Sequence, residues 1–252
     1  MKYYFLATYL PEVHRDDKKL RYDLGDLLED RGQMAPADRR EIDLVLLGRD
    51  VILIEQILAG REPSVAYCLH DGDFWRDQIK SPQAGPEFLR EYLASLVPGQ
   101  FGPREVDRLY AAYYEYVLAV SKNDFLRRYI AFERDLRNVL AAARARKLGL
   151  PVAEQLVGAS DIVEILGRSN AEDFGLGREF PWLEKMQAAS EPWEMQDLVE
   201  QVLWSYLTDN TGQDPFAFSA ILAYLLKLQL LERRLGMSEQ AGMDLVRNLE
   251  GA

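Results

Sequence analysis

The sequence predicts an all-α protein, a packed helical bundle of one or two lobes, and three observations carry that prediction. Apolar residues recur at alternating steps of four and three, most regularly at Phe125, Tyr129, Phe132, Leu136, Val139, Leu140 and Ala143. That spacing draws one stripe along a helix and fits no strand. Glycine and proline gather in short joints (Gly60 to Pro63, Ser81 to Pro86, Pro98 to Pro103, Gly149 to Pro151, Gly175 to Pro181), so long stretches between them run unbroken. Finally, helix starts and stops are legible at several of these joints.

The aromatic-rich opening, Tyr3 to Leu10, reads as a short extended segment that packs without forming a sheet, because one isolated strand has nothing to pair with. Asp16-Asp17 stand before a charged helix from Lys18 to Arg31, where carboxylates suit the positive end of the helix dipole. Pro36 or Asp38 starts a helix to Leu47, and Asp50 restarts it after Gly48, ending near Gly60. Pro103 to Val117 is helical through Tyr110, Tyr113 and Tyr114. The most regular helix lies between Ser121 and Leu148 and is stopped by Gly149 and Pro151. Ser190, followed by Glu191 and Pro192, opens a helix through Trp193, Leu198, Val202 and Tyr206. Asp214-Pro215 opens one that runs to Leu235, where Gly236 supplies a left-handed turn; Ser238 then caps a last helix ending near Leu249. No low-complexity linker divides the chain, so residues 1–252 form one helical domain, with sub-lobes 1–102 and 103–252 as its finer division.

Composition narrows the function classes. At 48% hydrophobic and 28% charged, the 252 residues can bury a sizeable core and are not a disordered tail. The net charge of −11 argues against general binding to nucleic acid or anionic lipid. The single cysteine, Cys68, excludes a disulfide framework and a cysteine-based zinc site. The apolar run before Pro11 is too short for a signal peptide, and the most apolar stretch, Ile221 to Leu231, contains Lys227 and Gln229. A soluble, cytoplasmic protein is expected.

The inventory of catalytic residues is poor. His14 and His70 are the only histidines. His70-Asp71 with Asp73 nearby is the pairing a helical metal-dependent hydrolase would use, but a divalent ion needs further ligands, and Asp71-Gly72-Asp73 reads as a turn. No Gly-rich phosphate cradle and no G-x-S-x-G occur. Cys68 reads as a buried, inert thiol. The aromatic clusters (Tyr110, Tyr113, Tyr114, Tyr116; Trp182, Trp193, Trp204) read as helix packing. No catalytic residue, cofactor or metal is assigned.

Charge is unevenly spread. Between Ser121 and Lys147 eight basic residues face three acids, leaving that segment at +5 and the rest of the chain at −16. At 100° per residue Arg127, Arg134, Arg137 and Arg144 share about a third of the helix circumference, away from the apolar stripe. Arginine forks suit carboxylate partners, so this row is a candidate partner-facing surface.

Two segments carry a family resemblance: Asn123-Asp124-Phe125-Leu126-Arg127-Arg128-Tyr129-Ile130-Ala131-Phe132-Glu133-Arg134-Asp135-Leu136-Arg137-Asn138-Val139-Leu140, and Ile221-Leu222-Ala223-Tyr224-Leu225-Leu226-Lys227-Leu228-Gln229-Leu230-Leu231-Glu232-Arg233. Both resemble helices of the C/d family of V/A-type ATPase subunits. The opening Lys2-Tyr3-Tyr4-Phe5-Leu6 through Leu10-Pro11 also resembles a shorter bacterial family of unassigned function whose genes sit among those of V/A-type ATP synthases. The resemblance implies a non-catalytic coupler, peripheral to the membrane, that joins the central axle to the proteolipid ring and needs no cofactor. It adds Tyr224, Lys227 and Arg233 to the candidate partner-binding residues. The alternatives are the hydrolase built on His70, Asp71 and Asp73, and a stand-alone helical adaptor.

Overall fold

The structure, a computed structural model, describes residues 2–97 and 99–250, with side chains described through Met237. Pro98, the first residue of one predicted joint, lies outside them. Among the described residues eleven α-helices follow one another: α1 Tyr4–Tyr9, α2 Leu24–Glu29, α3 Pro36–Leu58, α4 Gly72–Lys80, α5 Glu87–Ser95, α6 Pro103–Val120, α7 Asp124–Leu148, α8 Asp161–Arg168, α9 Leu183–Ala188, α10 Pro192–Asn210 and α11 Phe218–Glu250. Two 3-10 turns, Asp30–Gln33 and Val152–Gln155, complete the regular structure. The fold is all-α; among the described residues the one β-type pairing is an isolated antiparallel bridge between Lys2 and Ala217.

The chain divides into two compact units, Met1–Arg39 with Gln196–Ala252, and Arg40–Met195. Both divisions fall inside helices, α3 and α10, and not at residue 102.

In the first unit the opening is helical rather than extended. Only at the bridge does it run as a strand, where the Tyr3 N–H donates to Phe216 O at 2.7 Å. From Tyr4 onward no neighbouring strand takes up the backbone groups, so the chain satisfies them within α1. The Tyr3 hydroxyl donates to Asp38 and accepts the Ala35 N–H at 3.1 Å. The helix expected over Lys18 to Arg31 is shorter. It opens at Leu24, where Asp23 accepts the Asp26 N–H and Asp26 accepts the Asp23 N–H, a reciprocal cap that leaves Asp16 and Asp17 in the preceding loop. Asp214 accepts the Phe216 N–H at 3.0 Å, and α11 begins just beyond, at Phe218. It then continues through Gly236 to Glu250. One glycine costs a helix about 1 kcal/mol, which the strong helix formers on both sides offset. Ser238, predicted to cap a new helix, lies inside α11, and its side chain is outside the described residues.

In the second unit α3 likewise runs unbroken through Gly48. A Cβ there would lie 2.8 Å from the Tyr113 hydroxyl oxygen, which donates to Leu44 O at 3.1 Å. Gly48 is a point of close approach between α3 and α6, and not a stop. α5 packs on α6, α6 on α7, and α7 on α8. Asn123 caps α7 by accepting the Leu126 N–H, and Gly149 closes it at φ 65°, the left-handed turn its position predicts. Val139 and Ala142 of α7 form a buried cluster with Ile162, Leu166, Phe174 and Leu183 from the chain beyond it. Arg146 seals that cluster, its guanidinium 3.5 Å over the Phe174 ring and donating to the carbonyls of Ser169 and Ala171.

Candidate functional site

The strongest concentration of polar chemistry in the second unit lies where α3, α4 and the loop between them meet. Asp50 is fully buried in the middle of α3. A carboxylate cannot stay there without partners, since burying an unpaired charge costs several kcal/mol. Three donors supply them: the Leu69 N–H at 2.7 Å, the Trp75 indole N–H at 3.1 Å, and the His70 imidazole through Nδ1 at 3.0 Å. Burial pushes the Asp50 carboxyl above its ordinary range, while the hydrogen bonds from His70, Leu69 and Trp75 pull it back.

These contacts fix the imidazole. An ionised carboxylate only accepts, so Nδ1 carries the proton and donates it to Asp50, and in the neutral ring Nε2 is the nitrogen without one. The ring stacks on Phe74, with centroids 4.1 Å apart, and meets the edge of Trp75 at 5.4 Å. About a third of the His70 side chain remains exposed. Trp75 is fixed in turn: it is fully buried, and a Cβ added to Gly85, at φ 91°, would come within 3.3 Å of it.

The loop that carries His70 is strapped to α3 along its length. Gln56 exchanges two hydrogen bonds with Ser64, at 2.9 and 3.0 Å, and Arg49 Nε donates to Ala66 O at 2.6 Å. Next to the second strap Tyr67 adopts φ 54°, a left-handed conformation that costs a non-glycine residue about 1–3 kcal/mol. Such strain persists only where the surroundings over-determine the backbone, as the straps and the Leu69 bond to Asp50 do. Cys68 is half-buried and contacts Val65 O at 3.7 Å; burial and the neighbouring Asp50 charge push its thiol up to about 12.

A metal-dependent hydrolase would need His70, Asp71 and Asp73 to converge. The structure turns them to different tasks. His70 faces Asp50; Asp71 caps α4 by accepting the Phe74 N–H at 2.8 Å; Asp73 pairs with Arg76 at 2.7 Å. Among the described residues no three of His, Cys, Asp or Glu are placed to hold a metal ion. Sequence reasoning missed Asp50 and Trp75. The available signal was an acid on the apolar stripe of α3, with Ile42 and Leu46 before it and Leu53 and Ile54 after it, a position where a charge needs buried partners.

The arginine row on α7 does not form one outward face. Arg134 is only 9% exposed and pairs with Asp135 at 3.0 Å, while its Cδ packs against Gly158. Arg137 pairs with Asp107 at 3.0 Å, and its guanidinium lies 4.0 Å over the Tyr110 ring. Arg127 and Arg144 are exposed. They stand 17 residues apart, about 25 Å along the helix at 1.5 Å per residue, so these two cations mark opposite ends of α7. The row breaks because the loop after α7 folds back onto it. The buried Asn138 donates to Val157 O at 3.0 Å and accepts the Val157 N–H at 2.8 Å, pinning that loop over the middle of the helix.

On α11, Tyr224 is turned inward against Tyr22 with ring centroids 6.3 Å apart, and its hydroxyl oxygen has no hydrogen-bond partner among the described residues. The Lys227 ammonium sits 5.1 Å over the Trp204 ring, and burial holds its pKa below the usual lysine range. Arg233 is exposed. Of the aromatic residues read as packing, Trp193 is 68% exposed. In the first unit α1 presents Tyr4, Phe5 and Tyr9 at 56, 70 and 58% exposure. Phe5 and Tyr9 stack with ring planes 5° apart, and Tyr9 meets the edge of Tyr22 at 5.9 Å.

The family described as "Protein of unknown function (DUF2764)" matches residues 1–251, and the chain belongs to it. No curated protein and no solved structure matches the chain. The match corrects the resemblance to the C/d family of V/A-type ATPase subunits: the family that accounts for the whole chain is a different one. The two segments that carried the resemblance lie on α7 and α11, both with buried residues along their length. Apolar residues at steps of three and four with charges between them are what any such helix requires, whatever its ancestry.

Proposed function

With this family as the premise, we propose that the chain is a non-catalytic component that acts by binding other proteins, and that its partners are subunits of a V/A-type ATP synthase, the central axle and the proteolipid ring. In this reading it works as a member of its own family and not as one of the C/d type. The observation that carries the proposal is the aromatic face of α1. Phe5 and Tyr9, one turn apart and both exposed, form an apolar patch of the sort that marks interaction sites, and their rings are already stacked, which lowers the entropy lost on docking; Tyr4 lies about 100° round the helix, against Phe216. Among the described residues no helix is long and apolar enough to cross a membrane, so contact with the proteolipid ring would be made from outside the bilayer.

The test is recovery of the tagged chain from its native membranes. The expected result is co-purification of ATPase head components and proteolipid with the unaltered protein. Both should be lost from the Phe5→Ser, Tyr9→Ser variant while its circular dichroism stays helical. Failure of the unaltered protein to bring down either component overturns the assignment of partner. Unchanged recovery by the variant removes α1 as the contact.

A further inference from the structure

His70 has the environment of a working imidazole, and no part of the docking reading uses it. Its Nδ1 is committed to a buried carboxylate, its ring is held by Phe74 and Trp75, and about a third of its side chain stays open to solvent. A carboxylate behind one nitrogen sets the tautomer and the ring orientation, so that in the neutral ring the other nitrogen carries the lone pair. We propose that His70 Nε2 is a phosphoryl-acceptor site that takes a phosphoryl group from a donor of the phosphoramidate class.

The step balances without any further reagent. The Nε2 lone pair attacks phosphorus, the new N–P bond forms, and the P–N bond of a donor already protonated on nitrogen breaks, so that its electron pair leaves with the nitrogen as a neutral amine. The Nδ1 proton stays where it is. The positive charge that develops on the ring is matched by the Asp50 carboxylate at 3.0 Å, already in place before the reaction and needing no reorganisation.

Besides Asp50, four charged groups lie on the elements next to His70: Arg49 on α3, donating to Ala66 O, Asp71 at the cap of α4, and Asp73 and Arg76 on α4. Asp73 is paired with Arg76 at 2.7 Å, and Asp71 is spent on the Phe74 N–H. Burial pushes the thiol of Cys68, on the same loop, up to about 12, which disfavours the thiolate as a competing nucleophile.

The chain carries its own control. His14, its second histidine, lies on an exposed loop with Glu12 at 3.9 Å and no buried carboxylate behind it. The full chain is treated with phosphoramidate near neutral pH, and the acid-labile mass increment is mapped to His70 and His14 over time. The expected result is faster labelling at His70, by about tenfold, the scale on which an outer carboxylate activates the imidazole it supports. Asp50→Asn should bring the His70 rate down to that of His14 while leaving His14 unchanged. Equal or faster labelling at His14 overturns the proposal, and so does a folded Asp50→Asn chain that labels His70 at the original rate. If that variant does not fold, the ratio of the two sites in the unaltered protein decides the question by itself.

Discussion

The α7 arginines and the Asp50 cluster are both groups of charged side chains in the second unit, yet they are opposites in what they disclose and what they do. The arginines stand at helical spacing and look like a surface, but the middle two are used inside the molecule: Arg134 on Asp135, and Arg137 on Asp107 and Tyr110. Asp50 looks like a helix cap, but it is fully buried and gathers a backbone amide, an indole and an imidazole from 19 to 25 residues away. A charge pattern along one helix therefore says which residues share a face, not whether that face meets water. Only the element packed on it decides that.

Substitutions put the contrast to the test. The largest effect is expected from Asp50→Ala, which strands the buried Trp75 indole and two half-buried donors at once and should cost about 3–5 kcal/mol of stability. A urea midpoint close to that of the unaltered protein would show that the cluster contributes little to the fold. Gly48→Ala should follow, at about 1–3 kcal/mol, because the new methyl meets the Tyr113 hydroxyl at 2.8 Å. Gly236→Ala, with nothing within 4 Å, should instead stabilise by up to about 1 kcal/mol. Opposite signs at these two helical glycines, read from thermal midpoints, would separate a packing glycine from a merely tolerated one. Smaller still are the arginines. Arg134→Ala and Arg137→Ala should each cost about 1–2 kcal/mol through lost pairing and ring contact. Arg127→Ala and Arg144→Ala should stay within about 0.5 kcal/mol, as exposed substitutions do. Equal costs across all four would restore the row as a single surface.

Part of the fold is legible in the sequence because its determinants are local. The stripe from Phe125 to Ala143, the left-handed Gly149 and Pro192 at the start of α10 act within one or two turns, and all appear where their chemistry puts them. The differences between expectation and structure share a cause. Gly48 and Gly236 read as stops, but a glycine weakens a helix by only about 1 kcal/mol, less than the flanking residues and packing restore. The short opening reads as extended, though among the described residues it finds no strand partner beyond the bridge at Ala217. The likeness to the C/d family rests on helical spacing, which reports packing geometry before it reports descent.

The candidate site is hardly legible at all. His70 stands out in sequence for the acids beside it, Asp71 and Asp73, whereas its partner lies on α3, 20 residues earlier. The all-α class, the long helices α3, α6, α7, α10 and α11 and a few of their ends follow from the sequence alone, because backbone hydrogen bonding, capping and apolar spacing operate over a few residues. Which arginines stay at the surface, why Gly48 is a glycine, and which nitrogen of His70 is free are settled by tertiary contacts. Each depends on a group brought from elsewhere in the chain, and burial changes what a charge or a missing side chain is for.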